Sequence, residues 1–219
     1  WNELNKREDL IDGVNPMERD KLQWVSNIIR KESERIKKLS VLNIGFGSGN
    51  LEEITLKGNV NKFNWNGIDI SEKSVKKLAK EYKKSSFKKG DILKLSYKDE
   101  SFNCIVALEV LEHISPKNTF TALDQIFRKL KSGGLFIISV PLNEGLEEMV
   151  NRGENPNAHV RVYTPELLKA ELQIAGFEIR ETKLIYAFRS MYLLKNFVVG
   201  YLFKNMRQPN GIIVVVHKP

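Results

Sequence analysis

VLNIGFGSGN, residues 41–50, decides how this chain is read: a short strand-like run enters three alternating glycines, Gly45, Gly47 and Gly49. Glycine tolerates a left-handed backbone and carries no Cβ, so such a turn lets the main chain lie close against a ligand. A turn of this kind serves pyrophosphate, a nucleoside triphosphate or a ligand without phosphate, and the flanking sequence has to separate them. The dinucleotide fingerprint spaces its glycines as G-x-G-x-x-G, whereas here the third comes one residue early, as G-F-G-S-G. No G-K-[ST] follows, which excludes a Walker-type phosphate loop. Asp69 closes the next strand-like run, KFNWNGIDI, 20 residues beyond Gly49. A carboxylate at that place accepts both hydroxyl hydrogens of a ribose. Turn and acid together predict a nucleoside ligand.

Outward from this stretch, helical and strand patterns alternate. Leu22, Val25, Ile29, Ile36 and Leu39 give residues 17–39 one apolar stripe and predict a helix. Residues 48–56 restart as a helix after the glycines, and Ser71 caps a third helix after the second strand. SSFKKGDI is a shorter extended piece ending at Asp91, and FNCIVALEV is a strand buried on both faces. A helix is expected from about Lys117 to Lys131, entered through Ser115 and Pro116 and left through Gly133 and Gly134. GLFIISVP is a further buried strand. Thr164-Pro165-Glu166 opens another helix that closes at Gly176, and two strands, FEIRETKLIYAF and IIVVVH, finish the chain. The pattern predicts an α/β fold, a doubly wound and mostly parallel sheet that binds its ligand beyond the carboxyl ends of the strands. One domain over 1–219 suffices: an N-terminal helix at 17–39, a cofactor-binding core at 41–140 and an acceptor-side part at 141–219.

Bulk composition narrows the class. The chain has 219 residues, 42% hydrophobic and 28% charged, which suits one globular domain. A single cysteine, Cys104, excludes an internal disulfide framework and cysteine-based metal motifs, and a reducing cytoplasmic setting is expected. No run reaches the roughly 18 apolar residues of a membrane-spanning helix. The net charge of +8 would attract nucleic acid or an anionic membrane. Many of the lysines between Lys73 and Lys98, however, lie opposite Val75, Leu78, Ala79 and Tyr82 on one helix and read as its solvated face. A nucleic-acid partner is therefore not expected.

From about Val41 to Gly176 the chain resembles the class I S-adenosylmethionine-dependent methyltransferases, with five motifs in order. VLNIGFGSG looks like their first motif, GIDIS the second and GDILKL the third. FNCIVALEVLEHI is similar to the fourth, and LKSGGLFIISVP to the strand after it. The resemblance implies a Rossmann-like sheet of seven strands whose last strand is antiparallel, with S-adenosylmethionine as cofactor and S-adenosylhomocysteine as product. It places Asn43, Gly45, Phe46, Gly47, Gly49, Asp69, Ile70, Asp91, Ile92, Leu108 and Glu109 around that cofactor. Asp69 would hold the ribose, and Asp91 and Ile92 would border the adenine. Asn43 is a departure, because most relatives carry Asp there to help hold the methionine amino group. The amide keeps an acceptor oxygen and loses the charge.

The sulfonium methyl is already electrophilic, so the protein mainly aligns the acceptor and removes its proton. His113 ends the run Glu109-Val-Leu-Glu112-His113 just beyond the fourth strand. This E-x-x-E-H resembles the metal-assisted O-methyltransferases of ubiquinone synthesis and of small-RNA 3′ ends, which would make Glu109, Glu112 and His113 ligands of a divalent metal. Metal-free relatives carry L-E-H-I here too, and a general-base or orienting role for His113 is preferred. His159, Arg161 and Tyr163 lie in a segment similar to the acceptor-side cover of small-molecule methyltransferases, which makes them substrate-pocket candidates, with His159 joining His113 as a catalytic residue facing the acceptor. The aromatic stretch at 188–205 reads as a pocket lid or dimer surface, with peripheral membrane contact as its alternative. The expected activity is O-methylation of a small, lipid-linked or sugar-linked metabolite by a monomer or homodimer. The rivals are a metal-assisted RNA 2′-O-methyltransferase and a non-catalytic partner protein that keeps the fold.

Overall fold

In the computed structural model the described residues are 16–143, 145–155, 157–188, 195, 198, 199 and 207–219. Their strands form one seven-stranded sheet in the order β3-β2-β1-β4-β5-β7-β6. The strands are β1 (Leu39–Ile44), β2 (Phe63–Asp69), β3 (Ser86–Lys89), β4 (Phe102–Leu108), β5 (Leu130–Pro141), β6 (Glu178–Ile185) and β7 (Gly211–His217). The first five run parallel, and β7 pairs antiparallel with both β5 and β6. This is the expected sheet, closing antiparallel strand included.

Helices cover both faces, and the period-two alternation of the strands explains why. On one face Val41, Val106, Ile137 and Ile213 meet Leu22, Val25 and Ile29 of α1 (Pro16–Arg35), Leu51 and Leu56 of α2 (Asn50–Leu56) and Leu78 of α3 (Glu72–Glu81). On the other, Leu42, Ile105, Ile138 and Val214 meet Leu123 and Ile126 of α4 (Thr119–Lys129). A short α5 (Leu146–Asn151) follows β5, and α6 (Pro165–Ile174) adds Leu168 and Leu172 to that second layer. Strand order reverses between β1 and β4, which opens a crevice at their carboxyl ends.

Local signals were mostly sound. The Ser71 hydroxyl accepts from the Ser74 N–H at the start of α3, and the Thr164 hydroxyl from the Leu167 N–H at the start of α6. Two boundaries differ. The first helix ends at Arg35 rather than 39, because Lys38 turns left-handed (φ 60°) and Leu39 starts β1 as a buried strand residue. The helix expected to reach Lys131 stops at Lys129, and Leu130 is extended and pairs with Phe102. Gly133 and Gly134 consequently lie inside β5, where the register with β4 jumps from Phe102–Leu130 to Cys104–Leu135. Helix α5 had no counterpart in the sequence reading, and the 188–205 stretch falls almost entirely outside the described residues.

Candidate active site

The glycine turn leaves β1 at the reversal of strand order and lines a cavity of about 530 Å³, a size that suits a small-molecule or cofactor ligand. Gly47 lies left-handed at φ 55°, and a Cβ built there would meet nothing within 4 Å. Its N–H donates to Asp69 Oδ2 at 2.9 Å, while Ser71 N–H donates to Oδ1 at 2.7 Å. Asp69 is thus fixed across the mouth of the turn. Burial pushes its carboxyl above the ordinary aspartate range, and the N–H groups of Ser71, Gly47 and Ile70 pull the other way. Gly49 serves packing instead. A Cβ on it would stand 2.8 Å from Leu78, so its absence lets the turn close on α3, and Gly49 does not line the cavity.

Every other residue of the expected cofactor set lines the cavity: Asn43, Gly45, Phe46, Asp69, Ile70, Asp91, Ile92, Leu108 and Glu109 join Gly47 there. Ile70 is half exposed, while Ile92 is buried beside Leu93, so the far end offers apolar surface of the kind a base stacks on. Asp91 is exposed, and its Oδ1 accepts from Leu93 N–H at 2.9 Å. These residues fit a nucleoside: an acid for the ribose, apolar side chains for the base, and a turn with room against it.

Three features of the cavity were missed by sequence reasoning. The first is α1, which lines it through Glu18, Lys21 and Leu22. Lys21 Nζ lies 2.6 Å from Glu18 and 3.3 Å from Glu109. Burial alone would lower the Lys21 pKa, but the two carboxylates outweigh it and hold the ammonium above its usual range. The second is Ser139 of β5, whose hydroxyl donates to Glu109 Oε1 at 2.6 Å and whose carbonyl accepts the Glu109 N–H at 3.0 Å. Glu109 itself is left-handed (φ 54°), a strain of the sort that gathers at binding sites. The third is Glu52 of α2, fully buried, which accepts from Asn43 Nδ2 at 2.8 Å and Trp65 Nε1 at 3.0 Å. No sequence signal distinguishes it from the neighbouring Glu53. Lys21, by contrast, adjoins the Leu22–Val25–Ile29 stripe and was within reach.

His113 lines the same cavity, in the 3-10 turn Leu111–His113 after β4. Its Nδ1 lies 3.3 Å from the Ala158 carbonyl oxygen, which can only accept, so Nδ1 carries the proton and Nε2 is the basic nitrogen of the neutral ring. Ala158 is held left-handed (φ 53°) by a turn in which Asn155 bonds both the N–H and the C=O of His159. His159 is buried outside the cavity lining and packs edge-on against His113, ring centroids 4.8 Å apart. Its Nε2 lies 4.0 Å from Glu112 Oε1. Glu112, His113 and His159 bring ligand atoms within 4.8 Å of one another, a group that could hold a metal ion. Glu109 is not in it, being held by Ser139 and Lys21. Arg161 and Tyr163 also lie outside the lining: the guanidinium donates to Thr119 Oγ1 and Glu171 Oε1, both at 2.6 Å, and stacks 4.2 Å over the Tyr163 ring.

Comparison with known proteins gives the family and the fold. A methyltransferase-domain family model matches residues 17–182. The chain is 28% identical over 116 residues to a probable S-adenosylmethionine-dependent methyltransferase of Mycolicibacterium smegmatis, covering 53% of this chain and 44% of that protein. It is 31% identical over 149 residues to the 27-O-demethylrifamycin SV methyltransferase of Amycolatopsis mediterranei, covering 63% and 53%. The matches thus span about half the length of these two relatives. The fold is that of the S-adenosylmethionine-dependent methyltransferase of Archaeoglobus fulgidus, with a TM-score of 0.62 at 21% identity over 90% of this chain and 94% of the other. With the family model spanning most of its length, the chain belongs to the methyltransferase-domain family.

Proposed function

We propose that the protein transfers a methyl group from S-adenosylmethionine to an oxygen of a small metabolite, free or linked to a lipid or sugar. The observation that carries this reading is one cavity lined at once by the glycine turn, Asp69, Ile92 and His113. When bound, the cofactor supplies an electrophilic methyl. The chain's own residues then orient and deprotonate. Asp69, fixed by the turn, would accept from the ribose hydroxyls, and Asn43 would hold the methionine end. The Glu109 carboxylate, held by Ser139 and Lys21, lines the same cavity. His113 accepts the proton of the acceptor hydroxyl on Nε2, because Nδ1 is engaged with Ala158. His159 and Arg161 position that rim, His159 by packing on His113 and Arg161 by tying the segment to α4 and α6.

Acceptor oxygen finds support in the Amycolatopsis relative, a 27-O-demethylrifamycin SV methyltransferase. The test is transfer of isotope-labelled methyl from S-adenosylmethionine into fractionated small molecules, lipids, RNA and protein. Label in a methyl ether of a small molecule or lipid is expected. Label confined to RNA or protein, or no binding of S-adenosylmethionine at millimolar concentration, would overturn the proposal.

A further inference from the structure

Glu52 is fully buried in the apolar layer beneath the glycine turn, among Leu51, Leu56, Phe63 and Leu78. A carboxylate there is expensive unless something uses it. Both of its hydrogen bonds fall on Oε1, from Asn43 Nδ2 and Trp65 Nε1, and Oε2 has no hydrogen-bond partner in the described structure. Trp65 needs only an acceptor, which a neutral side chain would also provide. Asn43 is the informative partner, since it lines the cofactor cavity. With Nδ2 turned to Glu52, the polar atom left for a ligand is Oδ1, an acceptor suited to an ammonium group.

We propose that Glu52 is a positioning residue of the cofactor site: it orients the Asn43 amide, oxygen toward the cavity, and supplies from one residue away the negative charge that Asn43 lacks. The ligand chemistry is the α-ammonium of the methionine moiety, so the inference rests on the cofactor reading of the cavity. Charge and acceptor are split between two side chains. A carboxylate at both positions would set two buried like charges against each other, which accounts for the amide at 43.

Protonation of Glu52 loosens the arrangement, because a carboxylic acid can donate to Asn43 Oδ1 and let the amide turn its NH₂ to the cavity. Burial pushes Glu52 up to about 7, against the hydrogen bonds from Asn43 and Trp65. The titratable and charged groups around it are Glu53 on its own helix, Asp69 on β2, Tyr82 at the end of α3 and Arg30 of α1. Arg30 is spent on the carbonyls of Ile54 and Thr55.

The experiment is calorimetric titration of the protein with S-adenosylmethionine and with 5′-methylthioadenosine, which lacks the amino-acid end. At pH 8, Glu52→Gln should weaken S-adenosylmethionine binding about three- to tenfold, the loss of one charge-assisted contact. Its affinity for 5′-methylthioadenosine should stay within about twofold, since a positioning effect acts only on the ammonium. Adding Asn43→Asp to Glu52→Gln returns the charge to position 43 and should restore S-adenosylmethionine binding. Equal weakening of both ligands, no weakening of either, or failure of the double variant to recover would overturn the proposal. In the wild-type protein, which needs no variant to fold, the preference for S-adenosylmethionine over 5′-methylthioadenosine should fall from pH 8 to pH 6. The ligand's own amino group gains protons in that direction and works the opposite way, so a constant or rising preference also overturns it. Asp69→Ala separates the two readings. If it abolishes binding while Glu52→Gln changes nothing, the cofactor reading stands and this inference falls; if the wild type binds neither ligand, both fall.

Discussion

Replacing Glu52 by Gln should make the protein more stable, by an amount that grows as pH rises from 4.5 to about 7 and then levels off. The native carboxyl titrates at about 7 because it is buried, against an ordinary 4.5. Between those values the folded chain holds a proton that the unfolded chain has released, so stability falls as pH rises through the window. Above it the full cost of keeping the charged form buried is present, about 3 kcal/mol. Gln carries no charge and avoids that cost, while its oxygen can still accept from Asn43 and Trp65. The gain should be near zero at pH 4.5 and approach about 3 kcal/mol at pH 8. For a chain of this size that corresponds to roughly 6 to 12 °C in Tm. Calorimetric or urea unfolding of both proteins at several pH values between 5 and 8 reads it directly. A variant less stable at pH 8, or a difference that does not change with pH, would refute the reasoning. A stabilising change that weakens cofactor binding would mark Glu52 as a residue kept for the ligand and not for the fold.

Three further outcomes follow from the site. His113→Asn should lower kcat by about 10²- to 10⁴-fold with S-adenosylmethionine affinity within about threefold, since a lost general base affects turnover more than cofactor binding. Equal loss in both would point to a collapsed cavity. Arg161→Ala should cost about 3 kcal/mol of stability by leaving Glu171 buried without its partner, with cofactor affinity unchanged; a loss of affinity without loss of stability would return Arg161 to the substrate pocket. Activity measured after chelation and on adding back Mg²⁺ or Mn²⁺ tests the Glu112–His113–His159 group as a metal site. Unchanged turnover would assign that group to packing and proton transfer.

Much of the fold was legible because its signals are local. The near-continuous apolar runs of β1, β4 and β5, the Ser71 and Thr164 caps and the glycine turn each act over a few residues. The junction at Leu130 was not, since Leu123, Phe127 and Leu130 fit one helical stripe and only pairing with β4 draws Leu130 into a strand. The cavity residues were legible wherever a motif fixes their place after a strand, as for Asp69 and Asp91. Glu52 and Ser139, which act from behind the cavity lining, were not, because what singles them out is a partner on another element: Asn43 and Trp65 for one, Glu109 for the other. The segment holding His159, Arg161 and Tyr163 does reach the site, through the packing of His159 on His113. Which of its side chains face the cavity depends on the turn at Asn155 and on Glu171, neither of which the spacing reveals.

Among the described residues, helix α1 is fastened by ion pairs from Lys183 to Asp20 at 2.8 Å and from Lys21 to Glu109 at 3.3 Å, and by Arg30 bonds to the Ile54 and Thr55 carbonyls. Because Glu18, Lys21 and Leu22 form part of the cavity wall, opening the cavity on that side means breaking the second fastening and straining the first. The helix is therefore a latch, and its catch is ionic. Lys21 is buried, so added salt screens that catch far less than it would an exposed pair. The first helix of the chain is thus tied to the cavity wall through one buried ammonium, far in sequence from the Glu109 it holds.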